Sequence, residues 1–202
     1  MRGRFISFEG IDGAGKSTHL DWYAERLREA GREVVLTREP GGTDLAEALR
    51  ALLLGEAMDA RTELLLMFAA RQDHLERRVR PALAAGAWVV CDRFTDSTIA
   101  YQGAGREGSI ERIRMLADWI HGDLWPDRTY LFDLPAEEAL RRRSMARAAD
   151  RFEAEDRGFF ERVRAAYQAQ AVAEPERFLV IDASQDIDRI RQLLAADCDK
   201  IR

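Results

Sequence analysis

Gly10-Ile11-Asp12-Gly13-Ala14-Gly15-Lys16-Ser17-Thr18 follows the pattern G-x-x-x-x-G-K-[ST]. These residue types suit one task, the holding of a polyphosphate. Glycines at 10, 13 and 15 let the backbone wrap around phosphates and turn its N–H groups inward. The start of a following helix adds unpaired amides and a dipole that favour anions. Lys16 is long enough to reach the outer phosphates, and the Ser17 hydroxyl is a ligand for Mg²⁺. A strand-like run, Phe5-Ile6-Ser7-Phe8, precedes the segment and a helical pattern follows it. That context predicts a nucleoside triphosphate site rather than a Gly-rich turn.

Other charged residues stand just past other apolar runs. Asp92-Arg93-Phe94 follows Trp88-Val89-Val90-Cys91. An aspartate there can orient Mg²⁺, directly or through water, and Arg93 can grip a phosphate in a bidentate pair. The plainer reading, Asp92 as a helix cap with Arg93 as its partner, loses ground to a phosphate loop in the same chain. Thr37-Arg38-Glu39-Pro40-Gly41-Gly42-Thr43 follows Val34-Val35-Leu36 and sets Arg38 at a rigid turn. Two guanidinium groups facing a triphosphate loop imply a second anion. Two anions held end to end describe phosphoryl transfer between nucleotides. Such transfer needs positioning and charge neutralisation, so Lys, Arg and Mg²⁺ suffice.

Two segments suit a base. Phe68 and Arg71 stand one helical turn apart, and Ser97-Thr98-Ile99-Ala100-Tyr101-Gln102-Gly103 follows the third apolar run. An aromatic face, an arginine and a glutamine can stack on a base and hydrogen-bond it. Taken singly, Phe68 reads as core and Arg71 as a surface charge. The arginine-rich stretch at 141–153 joins two helices. It reads either as a solvated helix with its caps or as a lid that closes over phosphates and excludes water.

The elements that must carry these residues alternate. Strands are expected at 4–8, 34–36, 88–91, 130–132 and 178–181. Helices are expected at 17–30, 44–54, 62–85, 109–120, from 136, at 153–173 and from about 187. The 62–85 helix is apolar nearly all round near its start, which predicts burial and offers a face for a second copy. Short apolar strands separated by helices predict an α/β fold with a five-stranded parallel sheet covered on both faces. In such sheets ligands sit at the carboxyl ends of the strands, where the phosphate loop, Arg38, Asp92 and Arg93 fall.

Bulk composition fits one domain across all 202 residues. No apolar run is long enough to span a membrane. A strand that starts at residue 4 leaves no room for a signal peptide, so a cytoplasmic chain is expected. Two cysteines are too few for a disulfide framework, and Cys91 reads as a buried thiol. A net charge of −5 argues against a nucleic-acid partner. Of 31 basic residues only Lys16 and Lys200 are lysines, so an arginine counts as evidence only where its neighbours place it.

Taken together, Phe-Glu-Gly-Ile-Asp-Gly-Ala-Gly-Lys-Ser (8–17), Thr-Arg-Glu-Pro-Gly-Gly-Thr (37–43), Ala-Ala-Arg (69–71), Asp-Arg-Phe (92–94), Ala-Tyr-Gln-Gly (100–103) and Asp-Arg-Phe-Glu (150–153) resemble the thymidylate kinases over the whole chain. The resemblance implies a P-loop NTPase-type three-layer fold of the nucleoside monophosphate kinase kind. It implies transfer of the γ-phosphoryl group of ATP to dTMP with Mg²⁺, and a homodimer. By the same analogy Asp12 lies near the acceptor's 3′-hydroxyl and the transferring phosphate, and Arg38 and Arg93 hold the acceptor phosphate. Arg71 and Gln102 face the thymine with Ser97 or Thr98 close by. Tyr101 presses on the deoxyribose, and Asp92 helps place Mg²⁺. The family carries its catalytic arginine either inside the phosphate loop or in the lid. The loop here has Gly13-Ala14, while 141–152 has Arg143, Arg147 and Arg151, so the lid type is expected. Many members have a stacking phenylalanine four residues before the base-reading arginine. Here that position is Met67, and Phe68 is favoured as the residue that reaches the base.

Rival functions are weaker. A GTP-dependent switch would read guanine with Asn-Lys-x-Asp, and the chain contains no asparagine. A mechanical or transport ATPase module would need a longer chain or a partner. A nucleoside kinase would need a general base, for which Glu9 or Asp12 could serve, but two arginines argue for a charged acceptor. Another nucleoside monophosphate as acceptor is the remaining rival.

Overall fold

The computed structural model describes residues 2–144, 151–152 and 155–201, with only the backbone of 143 and 144. Five strands, β1 (Phe5–Glu9), β2 (Val34–Arg38), β3 (Trp88–Asp92), β4 (Arg128–Asp133) and β5 (Phe178–Asp182), form one parallel sheet in the order β2-β3-β1-β4-β5. The register pairs Phe8 with Asp92 and Arg38 with Asp92, so β1, β2 and β3 end at one level. Thr37, Arg38, Asp92 and the phosphate loop are thereby gathered along one edge of the sheet.

Alternation along the strands divides the core. Ile6, Phe8 and Val90 face one layer, where the Phe8 ring meets those of Tyr23, Tyr130 and Phe132 at 5.5, 5.2 and 5.7 Å. Phe5, Val89 and Cys91 face the other, against Leu75, Val79, Leu83 and Phe94. The buried Cys91 thiol fits the expectation for it.

Helices cover both faces. They are α1 (Lys16–Glu29), α2 (Asp44–Gly55), α3 (Ala60–His74), α4 (Arg80–Ala84), α5 (Thr95–Thr98), α6 (Ile110–Ile120), α7 (Ala136–Ser144), α8 (Arg157–Ala173) and α9 (Ile187–Cys198). Their starts have readable causes: Thr43, Asp59, Ser109, Asp156 and Asp186 each accept a hydrogen bond from a first-turn amide.

Three expectations need correction. The long helix expected at 62–85 begins at Ala60 and crosses from α3 to α4 through a π-helical turn, Leu75–Val79. It is not buried all round, since Leu65 is 58% exposed. Second, α5 continues through another π-helical turn, Ile99–Gly105, although Gly103 and Gly105 count against a helix there. Gly105 is tolerated because Phe159 and Val163 of α8 fill the space that its side chain would take. Third, α8 starts at Arg157, not 153. Among the described residues no helix is long and apolar enough to cross a membrane.

Candidate active site

The loop between β1 and α1 owes its shape to glycine at two positions in particular. Gly13 has φ 89°, and a Cβ there would lie 2.4 Å from the Ala139 carbonyl oxygen of α7. Gly15, φ 86°, caps α1 with no side-chain hydrogen bond, and the first turn holds no acidic residue. The α1 amides are thus left for an external anion. Ile11 and Ala14 anchor the loop in the core, whereas Ser17 and Thr18 are exposed. Lys16 Nζ donates to the carbonyls of Gly10 and Ile11 at 3.0 and 3.3 Å. Burial and then Arg93 push its ammonium down, against Asp92, Asp12 and Glu9.

Beside the loop lies a cavity lined by Asp12, Arg93, Arg71, Tyr101, Gln102 and Met67 among others. Arg93 dominates its phosphate-loop end. Nη2 donates to Asp12 Oδ1 at 2.8 Å and to Tyr101 Oη at 3.0 Å; Nη1 donates to Ser97 Oγ and Tyr167 Oη, both at 3.1 Å. Tyr101 also donates to Asp12 Oδ2 at 3.0 Å. Burial alone would raise the Asp12 carboxyl, but Arg93 and Lys16 outweigh it and hold it well below the usual range. Arg93 itself has φ 71°, a left-handed backbone that is uncommon for a non-glycine residue. Its turn is pinned by two bonds, Arg93 N–H to the Phe8 carbonyl at 3.0 Å and Phe94 N–H to Glu9 Oε1 at 2.7 Å. Glu9, fully buried, also accepts from Ser97 at 2.5 Å and Tyr167 at 2.9 Å. Burial, helped by Asp96, pushes its carboxyl up to about 7 against the pull of Ser97, Arg93 and Tyr167.

At the other end α3 presents Arg71, buried to 3% exposure. Nε donates to Glu39 Oε2 at 2.7 Å and Nη2 to Thr98 Oγ1 at 2.9 Å, while Nη1 is buried without a partner. Glu39 is held in turn by His74 Nδ1 at 2.8 Å, and His74 Nε2 lies 2.7 Å from Thr37 Oγ1. Burial would raise Glu39, but Arg71 and His74 keep it low. Ser97, Thr98, Tyr101 and Gln102 share one face of the unforeseen helix, which is why a single segment supplies four wall residues.

Two of the sequence expectations fall elsewhere. Phe68 does not line the cavity. It packs with Ile99, Ile113 and Ala117, with the Arg71 guanidinium 4.8 Å over its ring, and Met67 reaches the cavity instead. One residue of helix is about 100° of rotation, so the two cannot share a direction. Arg38 does not join Arg93 in the cavity. It lies in the neighbouring groove with Asp92 and Thr43, more than half exposed and paired with Glu47 Oε2 at 2.8 Å. Arg50, which sequence reasoning passed over, lines the cavity and donates to the Pro40 carbonyl at 2.9 Å. In a chain with 29 arginines it had no motif to mark it; its spacing from Glu47 on α2 was the available signal.

Of the arginine-rich stretch, Arg147 lies outside the described residues, as does the Arg143 side chain. Arg151 is described, and its guanidinium meets Glu63 and the backbone of α2 and is not among the residues that line the cavity. Nη2 lies 2.8 Å from Glu63 Oε2 and Nε donates to the Leu53 carbonyl at 3.0 Å, while the next residue, Phe152, lines the cavity.

Asp92 Oδ1 is buried with no hydrogen-bond partner, an orphaned acceptor that fits a cation or its water. Among the described residues no cluster of three or more His, Cys, Asp or Glu could hold a metal. That donor set suits Mg²⁺ carried mainly by phosphates and water, with Ser17 and Asp92 assisting.

A family model described as thymidylate kinase matches residues 8–194. The thymidylate kinase of Thiobacillus denitrificans is 58% identical over 195 residues, covering 96% of each chain. That of Bordetella petrii is 56% identical over 196 residues, covering 97% of this chain and 95% of that one. The crystal structure of thymidylate kinase from Ehrlichia chaffeensis superposes with a TM-score of 0.81 at 35% identity, covering 98% of this chain and 99% of that one.

Proposed function

This chain belongs to the thymidylate kinase family and phosphorylates dTMP with ATP, and we propose how its own residues divide that work. The observation that carries the reading is the position of Asp12. It is the phosphate-loop residue that also lines the acceptor cavity, where Arg93 and Tyr101 grip it. The two substrates meet there.

The triphosphate of ATP lies on the backbone of residues 10–18, with Lys16 on its outer phosphates. Ser17 and Asp92 are the residues that would hold and orient Mg²⁺, which would add charge neutralisation on those phosphates. dTMP occupies the cavity. Arg93 holds its phosphate, with Arg50 at the side and Arg38 able to reach in from the next groove once released from Glu47. A phosphate oxygen of dTMP attacks the γ-phosphorus, the bond to the β-phosphate oxygen breaks, and ADP leaves. No protein nucleophile is needed. Asp12 receives the sugar 3′-hydroxyl and Tyr101 packs on the deoxyribose. The unpartnered Arg71 Nη1 donates to a base carbonyl, and Met67 packs on the ring through its thioether. Family resemblance places the catalytic lid arginine among Arg143, Arg147 and Arg151, with Arg147 and Arg151 put forward for it. The Glu63 contact supports Arg151 as an anchor on the acceptor side. On this reading residues 1–202 make one kinase domain with its lid at about 141–152.

A second copy of the chain is proposed as partner. Leu45, Leu65, Leu116 and Trp119 of α2, α3 and α6 line one open apolar groove, and Trp119 is 80% exposed. A cytoplasmic location is proposed as well.

ADP release measured with dTMP, dUMP, UMP, CMP and thymidine in turn tests the assignment. Turnover highest with dTMP is expected. Turnover on thymidine with none on dTMP would overturn it.

A further inference from the structure

Glu63 is buried to 1% exposure at the start of α3 and belongs to neither substrate's phosphate chemistry. Its two oxygens are used differently. Oε2 faces Arg151 Nη2 at 2.8 Å and Arg106 Nε at 3.5 Å. Oε1 accepts from Gln102 Nε2 at 2.8 Å. A carboxylate between two guanidiniums can only accept, so the amide nitrogen of Gln102 must point toward it. Gln102 Oε1 accepts no hydrogen bond among the described residues, and Gln102 lines the cavity. The cavity is therefore shown an acceptor at Gln102 and, at Arg71 Nη1, a donor.

We propose that Glu63 is a specificity-determining positioning residue: it fixes which end of the Gln102 amide meets the acceptor base. This rests on the assignment of the cavity to dTMP. A pyrimidine with N3–H beside a carbonyl matches an acceptor next to a donor. Cytosine, which offers a bare N3 and an amino group, meets acceptor against acceptor and donor against donor. Leaving such groups unpaired in a buried site is the strong form of discrimination. Arg106 and Arg151 hold the other Glu63 oxygen, so the polarity of the base site is set from outside it. Arg106 is itself anchored by Glu155.

Glu63→Gln inverts the arrangement. The two arginines claim the new amide oxygen, its NH₂ turns to Gln102, and Gln102 rolls over to present Nε2 to the cavity. The ratio of kcat/KM for dTMP to that for dCMP should then fall about tenfold or more. Placing Glu63→Gln on a Gln102→Leu background should change the ratio no further, since Glu63 acts through that amide. A folded Glu63→Gln enzyme with the wild-type ratio overturns the proposal. So does an equal fall on both backgrounds, which would mark a general structural role. If Glu63→Gln does not fold, Glu63→Asp, whose shorter carboxylate releases the Gln102 amide, must lower the ratio, and an unchanged ratio again overturns it. A wild-type enzyme with no preference for dTMP over dCMP would instead remove the acceptor assignment beneath it.

Discussion

Arg93 and Asp12 meet at 2.8 Å, although one follows β3 and the other sits in the phosphate loop. The contact needs the left-handed backbone of Arg93, and that turn is tied down by the Phe8 carbonyl and the Glu9 carboxyl. Four hydrogen bonds leave two nitrogens of one planar group, which a point-charge ammonium cannot reproduce. Arg93→Lys should therefore lower kcat/KM for dTMP about 100-fold, roughly 2.7 kcal/mol. The KM for ATP should move less than about threefold. Steady-state kinetics with each substrate varied in turn checks this; a loss confined to ATP would take Arg93 out of the acceptor site.

Arg71 has the opposite emphasis. Its free Nη1 points to binding rather than chemistry, so Arg71→Ala should raise the dTMP KM by about 10- to 100-fold with little change in the ATP KM. Removal of a buried guanidinium also leaves Glu39 with His74 alone and should cost about 3 kcal/mol of stability, read by denaturant unfolding. Equal effects on both KM values would place Arg71 outside the base site.

Glu9 makes stability depend on pH. Its carboxyl is raised to about 7 from an ordinary 4.5, so between those values the folded chain binds more protons than the unfolded one. The contribution is fully present below 4.5 and is lost as pH rises through 7. The unfolding free energy of wild type minus that of Glu9→Gln should accordingly shrink over this range, by at most about 1.4 kcal/mol per pH unit. A difference constant from pH 4.5 to 7.5 would contradict the raised value.

Trp119 tests the assembly. Trp119→Glu puts a charge into the exposed apolar groove between α3 and α6. At one and the same concentration the unaltered chain should sediment as a dimer and the variant as a monomer. If both sediment alike as dimers, the second copy sits on another face.

Much of this arrangement was legible in the residue order. The strands and most helices followed from apolar periodicity, since a buried parallel strand and an amphipathic helix leave different spacings. The phosphate loop was readable because its glycines serve the backbone, which is local. What escaped was set by tertiary contacts. The helix through Gly103 and Gly105 forms because α8 packs on it, not because of its own propensity. Met67 and Phe68 are both apolar neighbours on α3, and only the direction of the helix axis decides which one faces the cavity. Arg38 stood in the most distinctive string in the chain, yet its side chain follows Glu47, a partner nine residues on.

Gly13 has a consequence for how such enzymes diverge. Its missing side chain lets α7 press its backbone directly on the phosphate loop. Any larger residue there, arginine included, would strike the Ala139 carbonyl and adopt an unfavourable φ. An ancestor could not trade a lid arginine for a loop arginine in a single step: the helix that leads into 141–152 would first have to retreat.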